Sequence, residues 1–176
     1  MSLLEDVEKD LWNWIREFVT VPNEFYNHKF APCPYAYKAV HDQAVDVVAW
    51  ESGDIRSFIR EKAEAMRDAP HLTTRVMGFP PRVQHAWGIS EYVEELNMKL
   101  IRDNVFLNTG VAKTTASRYP NSNDAPYFIV VANSLAAVLD GAESLAKSKY
   151  YKDWPKEHYA IVVERRARMA KQYGAK

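Results

Sequence analysis

The chain has one cysteine, six scattered glycines and no apolar run approaching the ~18 residues of a membrane helix. A single cysteine excludes an intramolecular disulfide and a cysteine-rich zinc site. The glycines form no G-x-G-x-x-G, no G-x-x-x-x-G-K-S/T and no G-x-S-x-G, so neither a phosphate-cradling loop nor a hydrolase elbow is written here. Charge of one sign is missing too: 23 Lys and Arg balance 23 Asp and Glu. A neutral chain has no global field to draw in nucleic acid or an anionic membrane. None of the histidines His28, His41, His71, His85 and His158 forms an i, i+4 pair, so no metal site is expected. No motif identifies a cofactor.

What remains is ordinary globular composition: 176 residues, 47% hydrophobic and 26% charged, which predicts one soluble domain over residues 1–176. The N-terminal MSLLEDVEKD is acidic and amphipathic, unlike a secretory signal or transit peptide, and this sets a cytoplasmic expectation.

Hydrophobic periodicity orders the elements. Val7, Leu11, Trp14, Ile15 and Phe18 share one helical face. Residues 41–51 alternate as a strand, followed by a turn with Asp54 as a candidate N-cap and a helix carrying Ile55, Phe58, Ile59 and Met66. A second strand spans His71 to Phe79, and a helix from Ile89 to Asp103 has Ser90 as a candidate cap. A short strand over Val105–Leu107 precedes a polar loop, Gly110 to Ala125. Residues 126–132 are the most continuously apolar stretch, which predicts an inner strand. Helices over 135–149 and about 155–173 close the chain. Alternating strands and helices predict an α/β (α+β-like) fold: helices on a mixed or mainly antiparallel four-stranded sheet, with extra N- and C-terminal helices.

The candidate chemistry lies in Phe30-Ala31-Pro32-Cys33-Pro34-Tyr35-Ala36. If Pro34 opens a short helix, Cys33 caps it, and the free N–H groups lower the thiol pKa. His28 and His41 lie near in sequence as candidate bases. The competing expectation is a buried, inert cysteine, since free cysteines are among the most buried residues. The basic run Arg165, Arg166, Arg168 and Lys171 reads as favourable charge at a helix C-terminus.

The Cys33-Pro34-Tyr35-Ala36 run, with Tyr119, Asn121, Pro126 and Tyr127 further on, resembles an uncharacterised bacterial family, domain of unknown function 1415. That family has a Cys-Pro-Phe-Ala motif after a first helix; here Tyr35 stands in place of its Phe. The resemblance implies a site at these residues and no particular reaction.

Two functions follow. One is a small-molecule site, enzymatic if Cys33 is its nucleophile and His28 or His41 its base, with Tyr35, Arg118, Tyr119 and Asn121 as ligand contacts. It would lie between the Asn23–Tyr37 segment and the Gly110–Ala125 loop. The other is a non-catalytic structural or interaction domain, with the same loops as a packed surface or homo-oligomer interface anchored by Trp12, Trp87 and Tyr151.

Overall fold

The first helix starts where it does because Ser2 and Glu5 cap each other. The Glu5 N–H donates to the Ser2 hydroxyl, and the Ser2 N–H donates to the Glu5 carboxylate. In the computed structural model, which describes residues 2–26, 28–83, 88–110 and 125–174, this helix is α1 (Leu3–Trp14). It runs into a π-helical turn at Ile15–Val19. Its buried stripe is Val7, Leu11, Ile15 and Val19, near the face expected from the periodicity.

The elements that follow are α2 (Ala36–His41), β1 (Val45–Ala49), α3 (Ile55–Glu64), β2 (Thr74–Phe79) and α4 (Ile89–Leu100). After them come β3 (Val105–Gly110), β4 (Phe128–Ser134), α5 (Leu135–Ala146), α6 (Lys156–Tyr159) and α7 (Arg165–Tyr173). A π-helical turn, Ala160–Glu164, joins the last two.

Asp54 caps α3 as expected, its carboxylate accepting from the Ser57 N–H at 2.8 Å. Two expectations need correction. His41 belongs to α2 rather than to a strand, because Gln43 turns the backbone through φ 55° before β1 begins. The cap of α4 is Gly88, at φ 74°, and not Ser90, which lies inside the helix.

The strands form one sheet in the order β1-β2-β4-β3. β1 and β2 are parallel, and the other two pairings are antiparallel. The fold is therefore α+β with a mixed four-stranded sheet. The apolar strand β4 is an inner strand, as its composition predicted. Successive residues face opposite sides of the sheet. Ile129 and Val76 pack with α1; Val130 and Met77 pack with Ile59, Val93, Leu96 and Leu100 from α3 and α4.

α1 sits close because Gly78 has no side chain: a Cβ there would lie 2.4 Å from Leu11 Cδ1. A third cluster of Ile101, Phe106, Leu135 and Met169 brings α7 back against the body of the protein.

Side chains complete part of the backbone hydrogen bonding of the sheet and of α5. Asn97, 0% exposed on α4, donates to the Leu107 carbonyl at 2.9 Å and accepts from the Leu107 N–H at 2.7 Å. The Glu8 carboxylate accepts from the Ala49 N–H at 3.0 Å. Asn104, left-handed at φ 60°, accepts from the Ala136 N–H at 2.7 Å in the first turn of α5. No helix among the described residues is long and apolar enough to cross a membrane.

Candidate functional site

The Cys-Pro-Tyr-Ala segment is anchored to α1 and to the far end of the chain. The Cys33 N–H donates to the Val19 carbonyl at 3.1 Å, at the end of the π-helical turn. Its carbonyl accepts from the Ala36 N–H at 3.0 Å, which makes a tight turn through Pro34 and Tyr35. Tyr35, and not Cys33, is the N-cap of α2, and it caps with backbone alone. The Tyr35 ring is 44% exposed and lies over Gly141 of α5. A Cβ on Gly141 would approach Tyr35 Cε2 to 3.0 Å, so glycine permits this contact.

Facing this turn is a wall of rings from the segment between α5 and α6. Tyr150 stacks on Tyr26 at 5.0 Å between centroids and meets Phe30 edge-on at 5.5 Å. Tyr151 packs edge-on against Tyr150, Trp154 and Tyr159. Such offset and T-shaped pairs suit the ring quadrupoles and hold the two chain segments together. The Tyr150 hydroxyl donates to the Pro32 carbonyl one residue before Cys33. Tyr151 is therefore engaged within its own chain, whereas Trp12 is partly buried with the Arg16 guanidinium 5.1 Å from its ring.

Arg166 is the residue that composition alone did not single out. It is 8% exposed on α7, within electrostatic reach of the Cys33 thiol and the Tyr151 hydroxyl. It has no carboxylate partner among the described residues. Its Nη2 donates to the Val138 carbonyl at 3.4 Å, and its Nε has no hydrogen-bond partner. Its neighbour Arg165 differs on every count: it pairs with Glu94 and lies over the Phe106 ring at 5.7 Å.

These surroundings reverse the expected ionisation of Cys33. Burial raises the thiol pKa, and this outweighs the lowering by the Tyr35 and Ala36 N–H groups and by Arg166. The thiol is neutral at pH 7, contrary to the expectation of an activated thiolate. Alkylation of native Cys33 at pH 8 is expected to be slower than that of the unfolded chain, and Arg166→Met should slow it further by removing the stabilising charge. Native labelling as fast as that of the unfolded chain would contradict this account.

The candidate bases lie apart in character from the thiol. His28 is exposed in a turn at φ 53°. The His41 side chain is 77% exposed and meets Asp42 through Nδ1 at 3.2 Å. Neither is among the groups that shift the thiol. Arg118, Tyr119, Asn121 and Trp87, and with them most of the Gly110–Ala125 loop, lie outside the described residues. No group of three or more His, Cys, Asp or Glu among the described residues could hold a metal ion.

The tyrosines give the fold an alkaline limit. Burial holds Tyr151 up to about 12, and the hydrogen bond to Asp10 holds Tyr127 up to about 12. Burial raises Tyr150 as well. Each folded-state pKa exceeds the unfolded value of about 10, so the stabilisation is complete below about pH 10 and is lost as pH rises through the folded values. Denaturant midpoints should hold up to about pH 9 and fall between about pH 10 and 12. A midpoint unchanged across that window would refute the assignment.

No protein-family model, no curated protein and no solved structure matches this chain.

Proposed function

We propose that this chain is a small-molecule-binding protein whose site lies where the Cys-Pro-Tyr-Ala turn meets the C-terminal helices. The observation that carries this reading is Arg166: a buried guanidinium with no carboxylate partner among the described residues and an unpartnered Nε. Burying an uncompensated charge costs several kcal/mol, which a bound counter-charge offsets. The aromatic wall beside it has the composition of a ligand site, mostly apolar with a few polar groups. The neutral thiol supports binding over nucleophilic catalysis, with Cys33 lining the site. The proposed location is the cytoplasm, where an unpaired thiol persists. Kinship with the Cys-Pro-Phe-Ala family is part of the proposal and rests on Cys33 to Ala36.

A second reading, a structural or interaction domain, draws on one observation. The Tyr150 hydroxyl ties the turn to the C-terminal segment, as a purely architectural clamp would. Thermal denaturation with a panel of small carboxylates, phosphates and neutral aromatics separates the two. A ligand at about 100 times its Kd adds about 2.7 kcal/mol, or about 5–10 °C in Tm for a chain of this size. The wild type should show such a shift with at least one compound, and Arg166→Met should lose it. A wild-type Tm that no compound moves, together with an Arg166→Met variant at least as stable, would establish the architectural reading.

A further inference from the structure

We infer that the ligand at this site is a small monocarboxylate with an aromatic body, its carboxylate held on the Arg166 guanidinium. The inference rests on the small-molecule reading above and narrows it. The charge comes first. Arg166 is the cation that acts on both Cys33 and Tyr151, while Arg165 is engaged by Glu94 and the Phe106 ring. One buried positive charge balances one negative charge. A phosphate monoester dianion would bring a second into a low-dielectric setting where the other nearby cation among the described residues, Arg165, is already paired with Glu94.

The shape of the donor comes next. The Nε of Arg166 is enclosed and unpartnered and Nη2 makes one long bond, so that edge of the planar fork keeps donor capacity that the fold leaves unfilled. A carboxylate matches two parallel N–H donors on such an edge. The remaining neighbours do not compete for that charge, because the thiol is neutral and the tyrosine hydroxyls are protonated at pH 7. The wall supplies the apolar part: Tyr151 and Trp154 are edge-to-face at 4.9 Å, and Tyr35 stands partly exposed over Gly141. Rings so placed stack on or enclose another ring.

Isothermal titration of the full chain with benzoate tests this, with inorganic phosphate and benzyl alcohol as comparison probes. Benzoate should bind more tightly than either, by about tenfold or more over the uncharged alcohol. Arg166→Met should weaken benzoate by about tenfold or more and leave benzyl alcohol nearly unchanged. Arg166→Lys keeps the charge without the fork and should fall between the two; it also serves should Arg166→Met fail to fold. Phosphate binding more tightly than benzoate, benzyl alcohol binding as tightly, or benzoate indifferent to both substitutions would overturn the carboxylate inference. The first two results would leave the small-molecule reading standing; the third would remove Arg166 from the site and overturn both. If all three probes fail while another compound of the panel raises Tm, the inference falls alone; if no compound does so, both fall.

Discussion

Asn97→Ala is expected to destabilise the protein by about 2–6 kcal/mol, because two buried backbone groups lose their partners at once. The Asn97 amide satisfies both the N–H and the carbonyl of Leu107, at 2.7 and 2.9 Å, and both residues are fully buried. Water cannot replace the lost side chain without entering the core between α4 and β3. Each orphaned group costs about 1–3 kcal/mol, and the vacated volume adds to the loss. Asn97→Asp keeps an acceptor for the Leu107 N–H but sets a carboxylate against the Leu107 carbonyl, so it should not rescue. Denaturant titration measures the change. A loss below about 0.5 kcal/mol, the ordinary surface range, would mean that the Leu107 groups find other partners.

Ile129→Ala is expected to cost about 2–5 kcal/mol, the usual range for a buried large-to-small change. Ile129 is fully buried on the α1 side of inner strand β4, flanked by β2 and β3, where neighbours cannot collapse into the space. Leu139→Ala provides the comparison. Leu139 lies on the apolar stripe of α5, yet it is only half-buried, against the cluster of Phe106 and Met169. It should lose less than Ile129→Ala, in proportion to the apolar area already in water. Equal losses in the two variants would show that α5 is as tightly packed as the sheet.

The difference between these two leucine-sized residues shows what the sequence carries. An unbroken apolar run at β4 is a local signal with a global meaning, so its inner position was legible. The α5 stripe is equally regular, but periodicity marks which face turns inward and not how completely the neighbours close over it. The short helix α2 was legible only as a condition on Pro34, because its six residues give less than two turns of periodicity, and its last residue, His41, was drawn into the strand that follows. The π-helical turns left no mark in the residue pattern that their helical neighbours lacked.

The site was half legible. Cys33 and Tyr35 stood out because prolines and aromatics crowd them, but the sign of the thiol shift depends on burial by distant residues. Tyr150, Tyr151 and Arg166 lie more than a hundred residues along the chain, and only the docking of the C-terminal helices brings them to Cys33. Arg166 looked like one member of a solvated basic run. Its position on α7, three residues before buried Met169, was the available signal. Asn97 offered a similar clue, a polar residue among Val93, Leu96 and Leu100 on one helical face.

The same amide has a consequence for encounters between copies of this chain. Leu107 directs its N–H and carbonyl away from β4, and Ala49 directs its N–H away from β2; Asn97 and Glu8 respectively occupy those groups. A strand arriving from a second molecule would find these bonding positions already taken at both margins of the sheet. Stacking of molecules into fibrils by strand addition is thereby disfavoured at each side by a single side chain. The Asn97 variant should then aggregate more readily than its lost stability alone would dictate, through β3 rather than β1.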